Sequence, residues 1–170
     1  MVTSGTTALG FDAALRAQLV YFKQGQLYNY LKTEKVMMCP SDKINTLYYS
    51  RGVLYTSYVW NGAVNRYSDV PALKITQFKP LNVLLWETDE LNAFFFNDSS
   101  SYPDEGISSR HGKGATIGLF SGSTERIAVK NWYSNTDQFA GIQGQRGAGL
   151  APGLLPSRAW CNPTHPQGRY

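Results

Sequence analysis

Ser109-Arg-His-Gly-Lys-Gly-Ala-Thr-Ile-Gly-Leu-Phe-Ser-Gly-Ser-Thr-Glu-Arg-Ile127 reads as a strand, a tight turn and a returning strand. Ala115 to Phe120 is short, apolar and β-compatible. Ser121-Gly122-Ser123 supplies the reversal, because Gly122 takes positive φ without a Cβ penalty. Thr124 to Val129 runs back with Ile127 and Val129 on one face. His111 stands just ahead of the first strand, with nine residues between it and Ser121-Gly122.

Working outward, Asn82-Val-Leu-Leu-Trp-Glu87 reads as a buried central strand that ends in acid. Val53 to Trp60, rich in β-branched and aromatic residues, reads as another strand, closed by an Asn61-Gly62 turn. Phe94-Phe-Phe96 reads as a short one. Upstream, Phe11, Leu15, Leu19, Phe22, Leu27 and Leu31 recur at helical steps, which predicts a helix over 11–33. Gly25 weakens its middle by about 1 kcal/mol relative to Ala. Residues 1–10 read as a flexible start, 34–137 as the sheet region and 138–170 as a Gly/Pro-rich coil wrapping the sheet. One helix with a single apolar face, followed by short strands, predicts one α+β domain: an N-terminal helix packed on an antiparallel sheet, then a long ordered coil.

Composition narrows the function. A chain of 170 residues with 16% charged and 14% aromatic residues is globular, and its net charge of +4 comes from scattered basic residues. Nothing in that pattern calls for nucleic acid. No apolar run of membrane-spanning length and no signal peptide is visible in the chain as given. Cys39 and Cys161 fit no CxxC motif. They form either one disulfide closing a long loop, worth about 3–5 kcal/mol in the chain-entropy model, or two buried thiols. Their Cys-Pro and Cys-Asn-Pro contexts put the disulfide ahead.

Catalytic patterns are thin. Arg110-His111-Gly112 is the tripeptide of histidine phosphatases, but it lies late in the chain and the other histidine, His165, falls in the coil. There is no G-x-S-x-G elbow, and Gly112-Lys113-Gly114 lacks P-loop spacing. Glu87, Asp89 and Asp98, with Asp104 and Glu105 beyond, are oxygen ligands suited to Ca²⁺; the plainer reading makes them solvated acids or partners of Arg110 and Lys113.

The ordered set of motifs resembles the prepilin-type, processing-associated H-x9-DG proteins, a pseudopilin-like family. His111 with Ser121-Gly122 is similar to the family's central motif, with Ser121 in place of its Asp. Gly25 to Leu31 followed by Met38-Cys39-Pro40-Ser-Asp42 resembles the helix exit. Ser57-Tyr-Val-Trp-Asn-Gly62 resembles its S-Y-x-x-N strand, Leu84 to Glu87 its acid-ended strand, and Trp160-Cys161-Asn-Pro163 its closing motif. The family's cleavage site and hydrophobic N-terminal helix are missing here. The resemblance implies a pilin-like headpiece and a non-catalytic, extracytoplasmic subunit or substrate of a type II secretion or type IV pilus-like system. It would be membrane-anchored only through that upstream helix and partnered by other pilin-like subunits or secretion components. Two other classes stand beside it: an envelope carbohydrate-binding module built on the 11 tyrosines and four tryptophans, and a hydrolase using His111 with nearby acids.

Overall fold

The computed structural model describes residues 8–65, 73–133, 156–166 and 168. The chain folds as α+β, with one long helix and a five-stranded open sheet in the order β3-β1-β2-β4-β5. The strands are β1 Tyr58–Asn61, β2 Val83–Glu87, β3 Ser100–Ser101, β4 Gly114–Leu119 and β5 Thr124–Ala128. β1–β2, β2–β4 and β4–β5 pair antiparallel, whereas β1–β3 pairs parallel. The sheet is therefore mixed, not wholly antiparallel as the sequence predicts.

The opening hairpin forms as read. Gly122 sits at φ 82°, and its N–H donates to the Leu119 carbonyl at 2.9 Å. Phe120, just beyond β4, stacks on Phe78 with ring centroids 3.9 Å apart. One face of the sheet carries Val59, Trp86, Ala115, Ile117, Leu119 and Ile127, all buried. These pack with Ile107, Ala159 and Trp132, the last on the short helix α5 Val129–Trp132. Trp86 and Trp132 meet at 5.2 Å, and each indole N–H finds a loop carbonyl, at Gly106 and Pro103. Burying an indole without such an acceptor would leave an unpaid desolvation cost.

The predicted helix 11–33 is two helices. α1 Ala8–Gln24 ends at Gly25, and α2 Tyr28–Leu31 follows after a turn. Gly25 has the lowest helix propensity of any non-proline residue, and the break falls there. Nor does α1 lie on the core face of the sheet. Its Phe11 and Leu15 pack instead with Leu54 and with Tyr48 of the short helix α3 Thr46–Tyr49. Gln18 fixes the contact: its Nε2 donates to the Gly52 carbonyl at 2.7 Å, and its Oε1 accepts from the Leu54 N–H at 2.8 Å. Between α2, the 3₁₀ turn Lys35–Met37 and the second face of the sheet lies an apolar cleft lined by Leu31, Tyr58, Trp60 and Leu85, among others.

Three further local expectations change. Only the last part of Val53 to Trp60 is strand, because Val53 to Ser57 runs as loop into β1. Asn61 closes β1, and Gly62–Asn65 is a helical turn, α4, where the Asn-Gly pair predicts a reversal. Asn61 Oδ1 accepts from the Ala63 N–H at 3.0 Å, which favours a helical start over a hairpin turn. Phe94-Phe-Phe96 lies in the 3₁₀ helix Ala93–Phe96, started by Asn92, whose side chain accepts from the Phe94 N–H. Of the predicted coil, 138–155 lies outside the described residues. Residues 156–166 form neither helix nor strand and strap across the start of β2, where the Val83 N–H donates to the Arg158 carbonyl at 2.8 Å.

Candidate functional site

Two buried polar clusters sit at opposite ends of the β1–β2 pair, and motif residues other than Ser121-Gly122 divide between them. The first gathers at the Glu87 end. The 3₁₀ turn Lys35–Met37 delivers Cys39, and the turn around exposed Pro40 closes with the Asp42 N–H donating to the Cys39 carbonyl at 2.9 Å. That turn aims the Asp42 carboxylate inward. It accepts two hydrogen bonds from Arg51, at 2.8 and 3.1 Å, and one from Ser57 at 2.8 Å. It also pairs with Arg110 at 3.1 Å. The Asp42, Arg51 and Arg110 side chains are almost wholly out of water, at 2%, 2% and 5% exposure.

The Arg51 guanidinium lies over the rings of Tyr48 and Phe96, 4.3 and 3.7 Å from their centroids. Arg110 also reaches Glu90 at 3.5 Å. Burial works to raise the Asp42 pKa, but the Arg51 hydrogen bonds, the charges of Arg110 and Arg51, and the Ser57 hydroxyl outweigh it and lower the pKa. For Arg110, burial works to lower the pKa, and Asp42, Glu90 and Glu87 overcome it and raise it.

Beside this knot, Cys39, Glu87 and His111 bring a thiol, a carboxylate and an imidazole together, with the three donor atoms all within 4.8 Å of one another. His111 Nε2 is 3.3 Å from Cys39 Sγ and 3.0 Å from Glu87 Oε1. Glu87 Oε2 accepts from the Thr116 N–H at 2.7 Å, and the Cys39 N–H donates to Ser57 Oγ at 3.0 Å. The turn that carries His111 is fixed from both sides: its N–H donates to the Gly114 carbonyl, and Arg126 donates to its carbonyl. Glu87 and Cys39 are buried, whereas the His111 side chain keeps 31% of its surface in solvent. Burial first, and then the nearby Glu87, raise the Tyr58 phenol.

This arrangement is not that of a nucleophile–histidine–acid triad. A triad needs the nucleophile on one ring nitrogen and the orienting acid on the other. Here sulfur and carboxylate both face Nε2, so the acid competes with the thiol for the same position. Nor do Glu87, Asp89 and Asp98 form a common oxygen site. Glu87 turns into the thiol–imidazole cluster. Asp89 and Asp98 each accept from a backbone N–H two residues on, at 3.0 and 2.7 Å, as turn-forming aspartates do.

The second cluster lies at the other end. Asn61 Nδ2 donates to the carbonyls of Val83 and Ala159 at 2.8 and 2.7 Å, tying β1 and β2 to the C-terminal strap. Trp160 stacks on Tyr102, with ring centroids 5.9 Å apart. Asn162 Oδ1 caps Thr164. Cys161 lies here, with Sγ 3.8 Å from Asn61 Nδ2, and burial pushes its thiol up to about 12.

The expected Cys39–Cys161 disulfide is therefore not formed: both thiols are free and buried. The reason is geometric. Cys39 sits by Glu87 and Cys161 by Val83, the two ends of β2, which at about 3.3 Å per residue are roughly 13 Å apart. A disulfide needs Cα atoms within about 7 Å.

Likewise Ser121-Gly122 does not meet His111. The six-residue strand β4 separates them, roughly 20 Å at strand rise. Ser121 Oγ instead bonds Ser123 Oγ at 2.8 Å within the turn. Arg51 carries no signal in the sequence, because a lone arginine between tyrosines and Gly-Val-Leu reads as surface. Three of the four tryptophans, Trp86, Trp132 and Trp160, are buried and unavailable as a sugar-stacking platform. Compared with family models, curated proteins and solved structures, the chain matches none.

Proposed function

We propose that the chain is the headpiece of a pseudopilin-like structural subunit or substrate of a type II secretion or type IV pilus-like system, non-catalytic and extracytoplasmic. In this reading the full-length product is anchored by a hydrophobic helix upstream and packs against other pilin-like subunits. One observation carries the proposal. Apart from Ser121-Gly122, which stay in their exposed turn, residues that resemble H-x9-DG motifs, spread from Cys39 to Asn162, meet in two polar clusters whose bonds tie the helix exit and the C-terminal strap to the sheet. Buried polar groups bonded across elements favour one arrangement of those elements. That suits a headpiece that must hold its shape while its helix is packed into an assembly. The triad geometry that would favour a hydrolase using His111 is not assembled.

The reading is tested with the natural full-length gene co-expressed with a prepilin peptidase. The expected result is a mass decrease matching removal of a short leader before a hydrophobic helix. An uncleaved product whose mass starts at the chain's own first residues would refute it.

A further inference from the structure

We propose that Cys39, Glu87 and His111 bind one divalent cation of the zinc class, with water as the fourth ligand. Three elements contribute one donor each: the loop after the first 3₁₀ turn, the end of β2, and the turn before β4. Thiolate, imidazole and carboxylate are the ligand types that Zn²⁺ prefers, and Ca²⁺, which takes six to eight oxygens, is poorly served by sulfur and nitrogen.

The spacing suits a tetrahedral ion. Zinc bond lengths of about 2.3 Å to sulfur and about 2.1 Å to nitrogen or oxygen place S···N near 3.6 Å and N···O near 3.4 Å. The structure has 3.3 and 3.0 Å. These two pairs need to open by only ~0.3–0.4 Å relative to those values, and the third pair, sulfur and oxygen, lies within 4.8 Å.

The hydrogen-bond count points the same way. His111 Nε2 has one in-plane position, which holds either a proton or a lone pair. Two groups face it, so one is poorly served in either tautomer. A cation between the three atoms engages all of them at once.

Charge agrees as well. Arg51 and Arg110 are paired with Asp42 and Glu90, two positive against two negative. Among the described residues, the ion pair of Glu87 is with His111, and Arg110 feels its charge only from beyond ion-pair distance. A dication bound by the Glu87 carboxylate and a Cys39 thiolate leaves the site neutral. Binding breaks the His111–Glu87 hydrogen bond, leaves the imidazole neutral and releases the Cys39 thiol proton to solvent.

The outer contacts are in place. The Thr116 N–H holds the Glu87 oxygen that faces away, Ser57 holds the Cys39 backbone, and the His111 backbone is fixed on both sides. The partly exposed edge of His111 provides the entry path and the water position.

The test uses the full chain, stripped of metal with a chelator and titrated with Zn²⁺ and with Co²⁺. The expected result is one ion per chain by elemental analysis, with a thiolate-to-cobalt charge-transfer band and tetrahedral visible bands. C39S should abolish the charge-transfer band. H111Q should weaken binding by more than about 100-fold, beyond the 10–100-fold typical of an outer partner. C161S should leave spectrum and stoichiometry unchanged, and Ca²⁺ should not displace cobalt. Far-UV circular dichroism checks that each variant is folded. Substoichiometric binding to wild-type protein at micromolar metal would overturn the proposal, independently of any variant. So would a thiolate band that survives in folded C39S, or one that vanishes in C161S.

Discussion

Asp42→Asn is the substitution with the largest expected consequence for the fold. It keeps the side-chain shape and removes one charge from the centre of the polar knot. In the native chain that carboxylate faces two guanidiniums, each with a side chain no more than 5% exposed. Without it, Arg110 retains Glu90, but Arg51 keeps no counter-charge: it retains the rings of Tyr48 and Phe96 and a neutral amide that offers one acceptor oxygen and turns an NH2 donor where the second oxygen stood. Arg51 Nε already has no hydrogen-bond partner among the described residues. Breaking a buried pair and stranding the cation costs about 3–5 kcal/mol, well above the ~0–1 kcal/mol of an exposed pair. At about 2–4 °C per kcal/mol for a domain of this size, the melting temperature should fall by about 6–20 °C.

The pH dependence supplies a second reading of the same variant. The Asp42 pKa is lower in the folded state than in the unfolded one. Its contribution is therefore fully present above the ordinary carboxylate value near ~3.9 and is lost as pH falls through the depressed folded value. The stability gap between wild type and D42N, measured by urea unfolding at pH 7 and again in steps below pH 4, should narrow with acidity. The double variant D42N/R51M should regain part of the loss, because it removes the stranded guanidinium. A D42N cost below 1 kcal/mol at pH 7, or a gap that does not change with pH, would refute the account of the knot.

Four further outcomes follow from the same structure. Denatured protein should titrate with two free thiols per chain, and native protein should leave Cys161 unmodified by iodoacetamide at pH 8, because its thiol is held near 12. Trp132→Phe should destabilise by about 1–3 kcal/mol in chemical denaturation, since the Pro103 carbonyl loses its buried donor at 2.7 Å. Gly52→Ala should cost about 1–3 kcal/mol, because the new Cβ would stand 2.8 Å from the Asn97 carbonyl oxygen and 3.1 Å from that of Phe96, both backbone atoms that cannot swing away. Ser121→Asp should leave the melting temperature unchanged or slightly raised, because an aspartate there bonds the Ser123 N–H as the present hydroxyl does.

What the sequence makes legible is what short-range periodicity encodes. The hairpin around Gly122 and the central strand ending at Glu87 are written in runs of apolar residues and one glycine. The helix and its weak point at Gly25 are legible for the same reason, although the helix already runs from Ala8, inside the stretch 1–10 that reads as a flexible start, and one glycine does not announce whether a helix bends or breaks. Long-range pairing is not written locally. Cys-Pro and Cys-Asn-Pro look alike as tripeptides, yet they fall at opposite ends of β2, so similarity of context misleads about contact. The same holds for His111 and Ser121, which are close in sequence but held apart by a fully extended strand. Asp89 and Asp98 look like ligands because carboxylates cluster in the sequence, whereas each is consumed by its own turn. Glu87 and His111 are both singled out by their motifs, but Cys39 joins them across 72 positions, and nothing local announces that.

The placement of the two polar clusters explains why the motifs are spaced as they are. Tyr58 pairs with Glu87 and Trp60 with Leu85, so Ser57 and Glu87 mark one end of the β1–β2 ladder, while Asn61 and Val83 mark the other. A one-residue slip in register moves every side chain of a strand to the opposite face. Here such a slip would carry Glu87 away from Thr116 and His111, and Asn61 away from the carbonyls of Val83 and Ala159. Each displaced group would be buried without its partner, at about 1–3 kcal/mol apiece and more for the carboxylate. The apolar face opposes the slip as well, because it would turn Val83 and Trp86, both fully buried, away from the core. The polar residues at the two ends and the buried face between them therefore specify the same register, and the apolar residues supply most of the attraction.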